Sequence, residues 1–436
     1  MATGISKTKW TGDTICNEEF MQNPSIPSLA YKGKLSESDI LDLPYEDALL
    51  FKQIGKPYNQ LYYGDNLPIL LSFLKNNEIK GNINLIYIDP PFATKSVFQS
   101  RSQTDAYCDL LAGTNYIEFM RRRLVVLREL LADNGSIYVH LDSNMIFYIK
   151  IIMDEIFGVQ NFRSLITRKK CNPKNYTKKN YGNISDFILF YTKSDNYIWH
   201  RPFDQWTPEK AKKEYQYLEA ETGRYYKKVP IHAPGTRNGE TGQPWRGMSP
   251  PAGKHWQFSP KTLDEMDKRG EIFWSKNGNP RRKIYLDQSQ GIPVQDIWLD
   301  YKDPHNQNIK ITGYPTEKNP DLLARIIQAS SNDNDLILDC FAGSGTSLDI
   351  ASKLNRKWIG IDQSLEAIRT IINRFKNGCD VMGDFVSANC NREVKRSQQL
   401  SIFDNNINSK NTASNFTVYS LKSLQSDLFD LEIYEE

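Results

Sequence analysis

The stretch Asn84-Leu85-Ile86-Tyr87-Ile88-Asp89-Pro90-Pro91-Phe92 reads as a buried strand that ends on an acid. Pro90 and Pro91 stop the strand and carry no N–H donors, which leaves carbonyls free to accept. Open α/β sheets place their ligands at the carboxyl ends of strands, where Asp89 arrives. A carboxylate, an acceptor carbonyl and the flat face of Phe92 at one point suit a planar ring bearing an exocyclic amine.

Working outward, Gln60 to Tyr63 is a short strand ending in Gly64-Asp65-Asn66, and a helix follows through Ile69, Leu70, Phe73 and Leu74. After a polar loop, Tyr116 to Ala132 has Phe119, Leu124, Leu127 and Leu131 on one helical face. Gly135 ends that helix, and Ser136 to Leu141 and Asp186 to Thr192 are further strands. This alternation predicts a parallel sheet. From about 200 to 300 the period breaks into aromatic-rich segments punctuated by Gly and Pro, a different domain by composition. Regularity resumes with a helix over Asp321 to Ala329, strands over Asp335 to Cys340 and Trp358 to Ile361, and helices over Ser347 to Leu354 and Leu365 to Phe375. Residues 1–58 read as an irregular extension and 391–436 as a polar, acidic tail.

A second chemical motif lies in Leu338-Asp339-Cys340-Phe341-Ala342-Gly343-Ser344-Gly345-Thr346, a strand, glycine-rich turn and helix start. Gly343 and Gly345 permit a tight backbone and close approach of a ligand, and the helix offers unpaired N–H groups. The spacing departs from the dinucleotide fingerprint. Trp358-Ile359-Gly360-Ile361-Asp362 puts an acid at the end of the next strand, suited to ribose hydroxyls, with Gln363 beside it.

Asp89-Pro90-Pro91-Phe92 resembles the catalytic motif of the amino-group DNA methyltransferases, which methylate adenine N6 or cytosine N4. Asp339 to Thr346 resembles that family's S-adenosylmethionine motif, and the catalytic motif coming first is the order of the permuted β group. That group includes restriction-modification enzymes and type III modification subunits. Tyr314-Pro315-Thr316-Glu317-Lys318-Asn319-Pro320 is similar to the family's Pro-Thr-Gln-Lys-Pro segment, departing from it at Glu317 and Asn319. Gly64-Asp65-Asn66 is similar to its Gly-Asp-x-Leu. The resemblance spans roughly residues 60–378, and Asp105-Ala106-Tyr107, Gly242 to Gly247 and Asp296-Ile297-Trp298 look more loosely like its modification-enzyme subgroup.

The resemblance implies a doubly wound, largely parallel α/β sheet of the S-adenosylmethionine-dependent methyltransferase fold, with an inserted target-recognition region. Its catalytic half would be 59–199, the recognition region 200–305 and the cofactor half 306–390. It also implies that Asp89 and Pro90 hold the target amine, with Pro91 and Phe92 completing the motif and Phe92 stacking on an extruded base. The cofactor would meet Asp65, Asn66, Thr316, Lys318, Asp339, Phe341, Gly343, Ser344, Gly345, Thr346, Asp362 and Gln363. Asp65 has a competing reading as the cap of the next helix. The resemblance also favours adenine N6, through the Asp at position 89; cytosine N4 and a catalytically inactive DNA-binding specificity subunit are the alternatives, with RNA or protein amines further off.

Charge supports a nucleic-acid partner. The 436-residue chain has a net charge of +3, but residues 160–310 carry 27 Lys/Arg against 16 Asp/Glu and six of the eight tryptophans. Cations interleaved with aromatics suit phosphate neutralisation and base stacking, a solvated basic face being the competing reading. Lys169, Lys170, Trp245, Arg246, Arg281, Arg282 and Lys283 are the candidate contacts to double-stranded DNA. Arg121-Arg122-Arg123 reads as a solvated helix face. The six cysteines and five histidines lack ligand spacing, so no metal is expected, and Cys340 reads as a core residue with no thiol chemistry. No apolar run matches a membrane span or a signal-peptide core, so a cytoplasmic protein is expected. A homodimer and a restriction subunit are further expected partners through the resemblance.

Overall fold

A computed structural model describes residues 27–54, 58–91, 97–99, 105–108, 113–173, 179–303, 310–311, 317–377, 380–381 and 415–429. The chain forms two compact units, one from residues 201–294 and one from the sequence on either side.

The flanking sequence builds a ten-stranded sheet. Its strands in chain order are β1 (Leu49–Ile54), β2 (Asn59–Tyr63), β3 (Ile83–Ile88), β4 (Leu131–Leu141), β5 (Phe162–Lys169), β6 (Ser185–Thr192), β7 (Ile297–Trp298), β8 (Leu336–Asp339), β9 (Lys357–Asp362) and β10 (Phe416–Ser420). Their spatial order is β1-β10-β2-β9-β8-β3-β4-β6-β5-β7. The run from β10 to β4 is parallel throughout. β1 pairs antiparallel with β10, and β6 runs antiparallel between β4 and β5. This is the doubly wound, largely parallel sheet expected from the sequence.

Helices cover both faces because each presents an apolar stripe to the sheet. On one face α1 (Glu37–Leu41, through Ile40), α2 (Asn66–Phe73), α3 (Thr114–Leu130) and α4 (Ile146–Phe157) join Ile86, Ile88, Val139, Leu338 and Ile361 in one buried cluster. On the other lie α5 (Pro320–Ser330), α6 (Thr346–Lys353) and α7 (Leu365–Asn377). There the Tyr138 and Ser330 hydroxyls lie 2.7 Å apart, and Trp358 stacks on Phe375 while its indole N–H donates to Ser352. β3 and β8 are adjacent and parallel, so Asp89 and Asp339 emerge at the same edge in the middle of the sheet.

Several boundaries differ from expectation. Leu131 was placed on the helix but turns to extended backbone and pairs with Ile83, so α3 runs into β4 without a loop. Residues 49–54 and 416–420, read as irregular extension and tail, are neighbouring strands, and β10 is inserted beside β2. Their pairing joins positions more than 350 residues apart, which no local period reports. β7, expected inside the recognition region, extends the large sheet beside β5.

Residues 201–294 form a four-stranded antiparallel sheet, ordered Tyr217–Leu218, Tyr225–Val229, Pro280–Tyr285 and Ile272–Trp274. One face packs with the helix Pro260–Lys268 around Trp245, Trp256, Leu263 and Met266. Among the described residues no helix is long and apolar enough to cross a membrane.

Candidate active site

The carboxyl edge of β3, β8 and β9 opens onto a cleft. β3 contributes Tyr87, Asp89, Pro90 and Pro91. The turn after β8 contributes Asp339 to Ser344 with Thr346 and Ser347, and β9 ends on Asp362, Gln363 and Ser364. Gly64, Asn66, Phe119, Arg123, Glu317, Lys318 and Leu323 complete the wall. Phe92 and Thr316 lie outside the described residues, so their expected roles have no structural description here.

Asp89 is held asymmetrically. Its Oδ2 is 2.5 Å from the Lys318 ammonium. Its Oδ1 is buried and has no hydrogen-bond partner among the described residues. An unmade bond on a buried carboxylate oxygen is costly, so an acceptor left open in a cleft is a place for a donor from outside the chain. Lys318 reaches Asp89 from the position before Asn319, which fixes the start of α5: the Asn319 side chain accepts from the Asp321 N–H at 2.9 Å and donates to the Lys302 carbonyl.

The two departures from the family pattern therefore have structural work. Asn319 caps α5, and buried Glu317 pairs with the buried Arg374 guanidinium of α7. Arg374 also donates to the Ser344 carbonyl at 2.8 Å and to Thr346 Oγ1 at 3.0 Å, so this pair braces the glycine turn. Gly345 sits at φ +71°, where a side chain is strained, and a Cβ there would stand 2.7 Å from Ile371.

Asp339 accepts from the Phe341 N–H and from Ser347 Oγ, and burial, reinforced by Asp89 and Asp362 nearby, pushes its carboxyl up to about 7. Asp362 accepts from the Gly343 N–H and the Ser364 N–H, both at 2.8 Å; burial raises it and those donors oppose the rise. Burial likewise pushes the Cys340 thiol up, away from nucleophilic use.

Asn66 and Asp65 part company. Asn66 is buried on the cleft wall, donating to the Cys340 carbonyl at 2.6 Å and accepting from Arg123 at 2.5 Å. Asp65 is exposed, caps α2 through the Leu67 N–H and pairs with Arg123 at 2.8 Å; it is not on the cleft wall. Arg123 corrects the expectation of a solvated face, since Arg121 and Arg123 are both 4% exposed. The signal was positional: Arg123 is four residues after Phe119 and four before Leu127, on the buried stripe, and its guanidinium carbon lies 3.5 Å from the Phe119 ring centre.

The DNA candidates also separate. Trp245 is 1% exposed, stacks on Trp274 and donates to Asp264, so it is a core residue and not a surface for bases. Arg246 is tied to Asp264 and Asp267, Lys283 to Glu219, and Arg282 lies over the Phe258 ring. Arg281 is exposed, while Lys169 and Lys170 are half-buried at the end of β5. None of these three has a carboxylate within ion-pair distance among the described residues. No cluster of His, Cys, Asp and Glu suited to a metal occurs among the described residues.

The cleft fits S-adenosylmethionine in its donor set: strand-end acids for hydroxyls, a glycine turn for close backbone approach, and the Phe341 ring for a flat heterocycle. Comparisons with known proteins identify the family. A DNA methylase family model for N6 and N4 methyltransferases matches residues 83–373. The chain is 43% identical over 415 residues to the type II methyltransferase M.EcaI of Enterobacter cloacae, covering 91% of this chain and 89% of that one. It is 28% identical to the type II methyltransferase M.KpnI of Klebsiella pneumoniae, covering 76% and 87%. A solved M1.HpyAVI–SAM complex aligns over 73% of this chain and 98% of its own at 18% identity, with a TM-score of 0.41. The chain thus belongs to the N6/N4 DNA methylase family and is a DNA methyltransferase whose methyl donor is S-adenosylmethionine.

Proposed function

We propose that the protein methylates the N6 amino group of adenine in double-stranded DNA, as the modification enzyme of a restriction-modification system. The observation that carries the chemistry is the divided carboxylate of Asp89, one oxygen held by Lys318 and the other buried without a partner. An adenine amine conjugated with its ring is a weak nucleophile. Asp89 Oδ1 and the Pro90 carbonyl would accept its two hydrogens, turning the lone pair out of conjugation and stabilising positive charge as it grows on nitrogen. Lys318 holds the acceptor in place. Bound S-adenosylmethionine supplies an electrophilic methyl carbon; Asp339, Phe341, Gly343, Asp362 and Gln363 would hold it, while Asn66 and Arg123 brace the wall. A base in a duplex must leave the stack to reach such an edge, and Phe92 is the residue assigned to stack on it.

Residues 201–294 are assigned target recognition, by the open face of their sheet. Register puts Lys228 opposite Lys283, and Arg281 opposite Phe273, all on that face. The Lys228 ammonium sits 3.6 Å and 3.4 Å from the ring centres of Tyr217 and Phe273. Loss of hydration lowers its pKa, and Arg281 and Lys283 lower it further. Lys283 is neutralised by Glu219, whereas Lys228 and Arg281 have no carboxylate partner among the described residues. Like charges held together without counter-ions call for an anion, and a DNA backbone supplies one. The relatives' names, type II and type III modification enzymes, support the restriction-modification context. Glu317 and Asn319 no longer support an inactive subunit, since each has a structural role.

Nucleoside mass spectrometry of unmethylated genomic DNA treated with the protein and S-adenosylmethionine tests the reading. N6-methyladenine is the expected product. N4-methylcytosine would keep the mechanism and overturn the base; unmodified DNA with cofactor binding intact would sink the assignment.

A further inference from the structure

A chain of buried polar groups crosses the sheet beside Asp89 and takes no part in the chemistry above. Tyr87, His140, Asp186 and Arg168 come from β3, β4, β6 and β5, and all four are nearly or fully inaccessible. Register explains their meeting. Tyr87 pairs with Tyr138, so His140 is the next residue on the same face of β4; Arg168 pairs directly with Asp186 across β5 and β6. Tyr87 Oη is 2.9 Å from His140 Nδ1, and His140 Nε2 is 3.0 Å from Asp186 Oδ2. Arg168 reaches the same Asp186 oxygen at 3.3 Å, donates to the Tyr301 carbonyl at 2.7 Å and pairs with Asp303. Asp186 thus stands beside Nε2 without hydrogen-bond alignment, and the hydrogen bond between Tyr87 Oη and Nδ1 is the one that ties the ring to β3.

Burying a charged series of this kind is rarely a source of net stability, because apolar side chains of equal volume fill a core at less desolvation cost. Burial pushes Asp186 up, but His140, Arg168 and Lys318 outweigh it and hold its carboxyl well below the ordinary range. Lys318 is the cation that grips Asp89. Tyr87 lines the cleft and stands two residues before Asp89, on the same side of the strand. The series therefore ends against the acid on two sides, through the backbone of β3 and through the field on Lys318.

We propose that His140 is a positioning residue for methyl transfer. Anchored by Asp186 and Arg168, it fixes the Tyr87 hydroxyl, and with it the end of β3, so that Asp89 Oδ1 faces the amine. This rests on the reading of Asp89 as the acceptor of that amine. Displacing a reacting group by an ångström costs about a hundredfold in rate, which sets the scale expected.

The test is single-turnover methyl transfer to unmethylated genomic DNA, with S-adenosylmethionine affinity measured on the same preparations. Tyr87→Phe removes one oxygen and His140→Gln removes the acceptor at the Nδ1 position. Each should slow transfer about tenfold to a hundredfold while cofactor affinity stays within about twofold, and the double variant should be no slower than either single one. His140→Asn, which keeps an acceptor near Nδ1, should lose less than His140→Gln. A Tyr87→Phe rate within about twofold of the unmodified protein, or additive losses in the double variant, would overturn the proposal. Asp89→Asn on the same DNA separates the two ideas. If it transfers normally, the reading of Asp89 fails; if it is inactive while Tyr87→Phe is unimpaired, only the positioning role fails.

Discussion

The cleft edge of the large sheet and the unit of residues 201–294 use the same residue types in opposite ways. At the cleft, charge is buried and matched: Arg374 with Glu317, Arg168 with Asp186, and Lys318 with Asp89. In residues 201–294 Trp245 and Trp256 are buried in the core, while Lys228 and Arg281 lie on the other face of the sheet with no carboxylate partner among the described residues. Paired burial fixes atoms for chemistry, where a misplacement costs rate. Unpaired surface charge holds a polyanion loosely and at a distance, and it is screened by salt. A charge count over 160–310 saw the second pattern and was blind to the first.

Breaking the cleft side should have the largest effect. Asp89→Asn removes the open anionic acceptor, and single-turnover transfer should fall by about a thousandfold or more, with DNA affinity and S-adenosylmethionine affinity little changed. A fall of less than tenfold would move the chemistry away from Asp89.

Trp245→Ala should destabilise residues 201–294 by about 3–5 kcal/mol, as expected for emptying a buried indole site. Limited proteolysis should then cut inside 201–294 while S-adenosylmethionine binding persists. Unchanged protease resistance together with weakened DNA binding would return Trp245 to the surface role expected from sequence.

Lys228→Ala and Arg281→Ala should each weaken DNA binding by about tenfold at moderate salt. Each should also lower the slope of log affinity against log salt by about 1. Measured by fluorescence anisotropy, an unchanged slope would remove those residues from the phosphate contacts.

The smallest effect concerns pH. Asp339 ionises near pH 7 in the folded protein, against about 4 for an ordinary aspartate. Between those values the folded state holds the extra proton, so this group makes stability fall as pH rises from about 4 to about 7. Asp339→Asn should flatten the pH dependence of chemical denaturation across that window, and an unaltered dependence would contradict the burial argument.

What was legible in the sequence was whatever is local. Asp89 follows an apolar run and precedes two prolines, and Gly343 and Gly345 stand at a strand-to-helix turn, so neighbours in sequence sufficed. Arg123 was misread because a run of three arginines looks solvated, although its spacing from Phe119 and Leu127 put it on the buried stripe. Glu317 looked like a defect because its partner Arg374 is 57 residues away, on α7. The Phe416–Ser420 strand was hidden for the same reason, since its place between β1 and β2 is set by partners across the whole chain. Trp245 was taken for a surface residue because composition does not report burial; its indole partner Asp264 lies 19 residues on.

The division of labour between the two regions is tested most directly by single-turnover methyl transfer in the Lys228→Ala/Arg281→Ala double variant, measured at low salt with DNA raised to saturation. The account predicts that the saturated rate returns to that of the unmodified protein, because those cations bring DNA to a cleft they do not shape. A rate that stays depressed at saturation would contradict it and place residues of 201–294 in the chemical step.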